Sequence, residues 1–248
     1  MSKREVIGRY RGSMLGLAWS FFNPILMLTV YTFVFSVVFK ARWGTDDADK
    51  GSFALLLFVG MIVHGLFAEC VNRAPALIVS NANYVKKVVF PLEALPWITM
   101  GGALFHAFIS SMVLLAAQLL IKHSIPWTVV FFPLTMLPLI LVAMAASWFL
   151  AAIGVYLRDV SQTVTIITTV LMFLSPVFYP ISALPERYRI WIELNPLTTI
   201  IEEARNSLVL GIAPDWQHLG WVTAFGIVVA WAGFSWFQKT RKGFADVL

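Results

Sequence analysis

Charge is scarce in this sequence. Lys, Arg, Asp and Glu make up 12% of its 248 residues, about half of the ~25% usual in soluble domains. With 59% hydrophobic residues and a mean hydropathy of +0.81, the chain cannot cover its surface with polar groups, so lipid must cover much of it. Cysteine is nearly absent: the single Cys70 excludes an intramolecular disulfide and any Cys-rich metal site. No glycine-rich phosphate loop ending in Lys-Ser or Lys-Thr occurs, so the chain does not bind and split ATP by that route. No histidine pair has metal-ligand spacing, and His64 and His106 read as hydrogen-bonded helix residues. Glu69 is the one acid close to a membrane interior, whereas ion-coupled transporters and proton relays bury several ionisable groups. Repeated voltage-sensor arginines and a filter-like loop of carbonyls are also missing. The chain is thus expected to be no enzyme and to hold no cofactor of its own. Its net charge of +5 reads as the positive-inside bias of a membrane protein, with no nucleic-acid partner.

Long apolar runs take the place of that charge. A helix needs about 20 mostly apolar residues to cross a bilayer, and the uncharged runs predict an all-α membrane protein with six spans, at about 19–39, 52–72, 95–121, 128–157, 160–180 and 217–238. The fourth run contains Pro126, Pro133 and Pro138, so its helix is expected to begin beyond the first proline. The basic residues near the N-terminus precede no small-residue cleavage site, so a removable signal peptide is not expected. With both termini in the cytoplasm, eleven of the 18 Lys and Arg lie inside and seven outside, the latter among most of the acids. This bias predicts a multi-pass plasma (inner) membrane protein with both termini cytoplasmic. The whole of 1–248 then forms one membrane domain.

Four segments fall outside simple spans. Over 1–17, Val6, Ile7, Tyr10, Met14 and Leu17 share one helical face and Arg4, Arg9 and Arg11 the other, predicting an interfacial amphipathic helix against anionic lipid. The inner segment 80–91 mixes Lys86 and Lys87 with Tyr84, Val85, Val88, Val89 and Phe90, and stops at Pro91. A short helix offering its apolar side to a soluble partner and a loop dipping into the interface fit it equally. Arg158-Asp159 marks a membrane edge. The outer segment 184–211 reads as a helical hairpin resting at the outer surface, either a gate or a large amphipathic loop. Pro185 starts its first helix; Asn195 caps the second, Pro196 begins it and Gly211 stops it. In that second helix Ile200, Ile201, Ala204 and Leu208 line one face, with Glu202, Glu203 and Asn206 on the other.

Aromatic residues are abundant: 20 Phe, 10 Trp and 6 Tyr. Trp19, Phe22, Tyr31 and Phe35 crowd the first span, and Phe173, Phe178 and Tyr179 gather at the end of the fifth. Flat uncharged rings along a channel suit a sliding glycan, while a lipid-facing or packing role suits any single ring as well.

Several of these pieces occur together in a known order. Arg9-Tyr-Arg-Gly-Ser-Met-Leu-Gly-Leu-Ala-Trp19 followed by Asn23-Pro24, then Lys86-Lys-Val-Val-Phe-Pro-Leu-Glu93, Arg158-Asp-Val, Ser175-Pro-Val-Phe-Tyr-Pro180, Leu184-Pro185 and Asn195-Pro196-Leu197 resemble the ABC-2 type permeases that export cell-surface polysaccharide. The match covers nearly the whole chain, with a short lead of eight residues before Arg9. The resemblance implies a half-transporter: two copies forming a channel, two soluble subunits that bind ATP and Mg, and a lipid-linked polysaccharide cargo, foremost O-antigen. It implies that Asn83, Tyr84, Lys86, Lys87, Phe90 and Pro91 couple to the ATPase. Arg9, Arg11, Leu15 and Gly16 would border the cytoplasmic entrance. Trp19, Phe22, Tyr31, Phe173, Phe178 and Tyr179 would line the path, and Pro185, Trp191, Asn195 and Pro196 the outer gate. Two other functions fit the hydropathy: an ABC-2 exporter of a small amphipathic molecule or lipid, and a nucleotide-independent channel or scaffold.

Overall fold

Backbone polar groups in hydrocarbon must be satisfied within the segment, which leaves helices as the open solution for runs of this composition. In the computed structural model, which describes residues 16–38, 50–86 and 90–248, every regular element is helical and no strand occurs among those residues. The expected interfacial helix, with Arg9, Arg11 and Leu15, lies outside the described residues, as does Lys87. The main elements are α1 (Trp19–Tyr31, continued as π-helix through Thr32–Val38), α2 (Lys50–Leu77), α3 (Ala82–Lys86), α4 (Leu95–Lys122), α5 (Leu137–Tyr156), α6 (Val160–Leu174), α7 (Glu186–Glu193), α8 (Pro196–Arg205, continued as π-helix through Asn206–Leu210), α9 (Trp216–Thr240) and a last turn α10 (Phe244–Val247).

Four helices among the described residues are long and apolar enough to cross a membrane, over Ser52–Leu77, Leu92–Lys122, Trp127–Tyr156 and Trp216–Val247. The other two expected spans are shorter apolar helices, Trp19–Phe35 and Val160–Leu174. Helix α6 ends before the expected 180 because Ser175, preceding Pro176, turns extended at ψ 152°; the residue before a proline is pushed out of the α region. Between α2 and α4, helix covers Val79–Asn81 and α3, and Pro91 is extended at ψ 96° before the turn Leu92–Ala94. The three prolines of the fourth run behave as predicted from their chemistry. Pro126 precedes the turn Trp127–Phe131, Pro133 sits in the first turn of Phe132–Thr135, and Pro138 sits in the first turn of α5, where a missing N–H leaves no helix bond unmade.

Helix α2 is the spine of the bundle. It packs against α1, α4, α5, α6 and α8, and 78% of its apolar window is buried, against 17–39% for the other three long helices. Small residues let the neighbours approach: a side chain at Gly154 of α5 would strike the Pro75 backbone of α2, and one at Gly233 of α9 would strike the Ala145 backbone of α5. The edge helices are loosely held. In α1 only Ser20 and Leu28 are buried, and in α6 only Val164 and Thr168. Phe21, Phe22, Ile25, Ile166, Val170 and Phe173 point outward from them. Replacing Gly154 by Leu forces α5 away from α2. The expected outcome is a loss of at least about 1–3 kcal/mol, the usual cost of overpacking, read as a lower melting temperature of the purified protein in detergent.

Candidate functional site

One end of the bundle carries the segment Val79–Ala94. Two of its expected partner-facing residues, Asn83 and Pro91, are exposed; Lys86 closes α3. The Tyr84 and Phe90 rings stack at 4.8 Å, folding the segment back on itself. Its far end is fixed at Glu93. The Trp148 indole N–H of α5 donates to the Glu93 carbonyl at 3.1 Å, and Arg241 after α9 donates to its carboxylate at 2.9 Å. The C-terminal residues close over this end: α10 packs on both α3 and α5. Phe244 is fully buried, with its ring 5.6 Å from Phe237 and 6.1 Å from Tyr156. Tyr156 donates its hydroxyl to the Thr240 carbonyl at 3.1 Å. Displacement of this segment is therefore felt by α2, α4, α5 and α9 together.

At the same end Gly16 adopts φ 49° in the turn Gly16–Ala18 that leads into α1, a left-handed conformation that favours glycine. Trp19 and Phe22 follow, edge to face at 5.4 Å and both outward-facing. The remaining expected path residues gather toward the opposite end of the bundle. Tyr31 meets Phe35 at 6.5 Å, Phe35 stacks on Phe178 at 6.2 Å, and Phe178 meets Phe173 at 5.6 Å. Tyr179 donates its hydroxyl to the Phe173 carbonyl at 3.0 Å. The rings thus join α1 to the end of α6 through Phe35, which was not singled out as a site residue although it lies one helical turn beyond Tyr31.

The hairpin divides into an exposed and an inserted half. Pro185 precedes α7, and Trp191 is 71% exposed with Ile190 and Leu194 beside it. Asn195 caps α8 as expected: its Oδ1 accepts from the Leu197 N–H at 3.0 Å, while its Nδ2 donates to Ser175 Oγ at 2.9 Å and ties the cap to the chain beyond α6. Pro196 is the first helical residue, and Gly211, at φ 73°, ends the π-helical extension. Helix α8 packs into the bundle, and the apolar face expected over Ile200, Ile201, Ala204 and Leu208 is the buried one. Leu197, Ile200, Ile201 and Ala204 are all buried against α2 and the neighbouring helices. Glu203, placed on the polar face from spacing, is buried too because α8 is enclosed on that side by the approach to α9. Its Oε2 accepts from the Asp215 N–H at 3.2 Å, and burial pushes its carboxyl above the usual range.

Arg205 is the residue that spacing missed. It is fully buried. Its Nε donates to the Leu56 carbonyl of α2 at 3.0 Å, one Nη to the Val177 carbonyl at 2.9 Å, and the other to Glu202 at 2.7 Å. Burial pulls the guanidinium down to about 10, with Glu202 opposing the shift, so it remains a cation at neutral pH. The sequence held one signal: Arg205 falls on the same helical face as Ile201 and Leu208, where a lone cation among apolar residues demands buried acceptors. His106 and Glu69, read separately, also meet: Nδ1 and Oε2 lie 3.0 Å apart, joining α4 to α2. His64 is hydrogen-bonded as expected, to the Thr168 carbonyl at 3.0 Å.

Four substitutions separate these contributions. Arg205→Met removes the charge-assisted bond to Glu202 and both carbonyl bonds. We expect a loss of about 1.5–3 kcal/mol for the charged bond alone, with faster amide exchange over residues 185–211; Arg205→Lys should fail to restore protection, since one ammonium cannot reach three diverging acceptors. At the other end, Phe244→Ala should cost about 3–5 kcal/mol as a buried aromatic truncation and accelerate exchange over 82–95. Arg241→Ala, removing a half-exposed ion pair, should cost at most about 1 kcal/mol.

Comparison with known proteins places this geometry in a lineage. Residues 1–209 match the family described as ABC-2 type transporter. The chain is 29% identical over 246 residues to the O-antigen export system permease protein RfbA of Myxococcus xanthus, covering 98% of this chain and 92% of that protein. It is 24% identical over 250 residues to the protein of the same name from Klebsiella pneumoniae, with coverage of 100% and 93%. It is 21% identical over 242 residues to the polysialic acid transport protein KpsM of Escherichia coli, with coverage of 96% and 91%. With most of its length inside the family match and its whole length aligned to these permeases, the chain belongs to the ABC-2 type transporter family.

Proposed function

We propose that this chain is the permease subunit of an ATP-driven exporter that moves lipid-linked cell-surface polysaccharide, of O-antigen type, across the plasma (inner) membrane. The observation that carries the proposal is the end-to-end similarity to O-antigen export permeases. The outward-facing apolar and aromatic faces of α1 and α6 support a homodimeric channel, because a second copy placed there covers both edge helices at once. In this reading the chain makes six passes with both termini in the cytoplasm, the shorter α1 and α6 completing their passes through the π-helical and irregular residues that follow them.

The cytoplasmic end is then the one bearing Val79–Ala94. A separate subunit holding ATP and Mg docks on Asn83, Tyr84, Lys86, Lys87, Phe90 and Pro91 within 80–91. Arg9 and Arg11 of the interfacial segment 1–17 meet the phosphates of the cargo's anchor, and Leu15 and Gly16 border the entrance. The polymer passes Trp19 and Phe22, then Tyr31, Phe173, Phe178 and Tyr179, whose faces offer a sugar ring apolar contact without fixed hydrogen bonds. The hairpin over 184–211, with Pro185, Trp191, Asn195 and Pro196, guards the outer exit. Nucleotide-driven movement of the docked subunits pushes the coupling segments, and the aromatic cluster between α1 and α6 opens and closes about the chain.

The test is the fate of lipid-linked glycan in cells depleted of this protein. Labelled polymer is expected to accumulate inside while the surface becomes bare. Normal surface glycan would overturn the proposal and turn attention to small amphipathic cargo.

A further inference from the structure

A cavity of about 370 Å³ opens between α1, α2 and α4, with the path residue Trp19 in its wall. Trp19 and Asn23 of α1, Gly65 and Glu69 of α2, and His106 and Ser110 of α4 contribute to its wall. Glu69 lies eight residues before the end of α2 and His106 eleven residues after the start of α4, so both sit about 12–16 Å from that end of the bundle at 1.5 Å per residue. Against a hydrocarbon core of about 30 Å, that depth is within one leaflet, the one facing Val79–Ala94.

Two independent features argue that the cavity is kept for a ligand. The first is its chemistry. A carboxylate, an imidazole, a carboxamide and a hydroxyl converge on one space in a part of the bundle where lipid offers them no hydrogen bonds. Two other hollows, one between α5 and α9 near Phe149 and Trp236, the other near Leu115 and Pro133, are lined without a single ionisable group; those suit hydrocarbon, and this one does not. The second feature is Gly65. A side-chain carbon there would meet nothing within 4 Å, yet glycine in a helix interior costs about 0.5–1 kcal/mol relative to alanine. Among the described residues nothing fills the space that this small residue leaves beside the cavity. A proton relay is a poorer fit, since it needs a series of ionisable groups rather than one pair.

We propose that this cavity binds a polyhydroxyl head group, one sugar or glycerol unit of an amphiphile in the inner leaflet. Glu69 accepts from its hydroxyls, His106, Asn23 and Ser110 exchange hydrogen bonds with the others, and the Trp19 ring at the rim covers an apolar edge. The orientation of the leaflet, and the cargo as one source of the head group, rest on the export function proposed above; the site itself does not.

Photo-crosslinking to the assembled permease–ATPase complex in nanodiscs tests this, with a diazirine-bearing alkyl glucoside and a diazirine-bearing phosphatidylglycerol as probes. At least one probe should label the peptides around Asn23 and Ser110. That labelling should fall about tenfold, equivalent to ~1.4 kcal/mol, when Gly65→Leu fills the cavity, and should also fall in Glu69→Gln, which keeps a hydrogen-bonding partner for His106. Gly65→Ala should leave assembly and melting temperature unchanged or raised. Asn23→Leu replaces Gly65→Leu if that variant fails to assemble. Labelling that is equal in wild type and the filled variant, or spread evenly over the lipid-facing helices, would overturn the site. Preference for the glucoside, with export lost in Gly65→Leu cells, assigns the cavity to the glycan; preference for phosphatidylglycerol, with export retained, assigns it to bulk lipid. Unchanged surface glycan in cells lacking the protein would overturn the exporter function while leaving the labelling result standing.

Discussion

A buried guanidinium holds together the end of this molecule that bears the α7–α8 hairpin. Arg205 donates from α8 to the carbonyls of Leu56 and Val177 and to the Glu202 carboxylate, all within 3.0 Å. A fully buried cation is costly unless every donor finds an acceptor, and these three acceptors come from three different places in the chain. The consequence is positional. Helix α8 cannot sit elsewhere without stranding the charge, and the chain beyond α6 cannot swing away without losing the Val177 carbonyl. Close packing reinforces the lock, because a side chain at Gly60 would press on both Val177 and Arg205. The fixed planar fork of arginine suits this three-way demand, whereas a lysine would serve one acceptor at a time.

The contrast with α7 follows from that anchoring. Within one hairpin, α8 is packed into the bundle while α7 leaves Tyr188, Ile190, Trp191 and Leu194 exposed. Local bonds steady the turn before it, with Arg189 donating to the carbonyls of Leu184 and Ser182 at 2.9 and 3.0 Å. A segment with few buried contacts opens at low free energy, while its anchored neighbour does not. The hairpin is therefore built as a fixed arm bearing a looser one.

Much of this was legible from residue types, and the reasons for the remainder are physical. Asn195, Pro196 and Gly211 mark the ends of α8 because capping and left-handed turns are local chemistry, readable from a few neighbours. Tyr31, Phe173 and Phe178 were named together from the family resemblance, but the ring that joins them, Phe35, depends on how α1 meets α6. Glu203 was misjudged because helical spacing separates polar from apolar faces only when one side of the helix meets solvent, and α8 is enclosed; Arg205 was passed over although spacing puts it on the buried face. The Glu69–His106 pair was invisible in the same way, since 37 residues separate the two along the chain and only the packing of α2 on α4 brings them together. Family resemblance supplied the order of the motifs, but none of these tertiary contacts.

Helix α2 connects the two ends of the molecule. It is 28 residues long, about 42 Å at 1.5 Å per residue, and the best-buried of the long helices. Its last turns run into Val79–Asn81 and α3, whose far side is tied to α5 and α9 through Glu93, while Leu56 near its first turns receives Arg205. Close-packed interiors transmit displacement rather than absorb it, and the Gly154–Pro75 contact leaves α2 no room to slide independently of α5. A push on the α3 end must therefore move α2 and α5 as one body, and Arg205 carries that movement into the hairpin. The edge helices α1 and α6 do not share the constraint, because their buried contacts are few. For the export function proposed above, that division supplies a stiff core reaching from the α3 end to the hairpin, flanked by two loosely held helices that carry the aromatic faces.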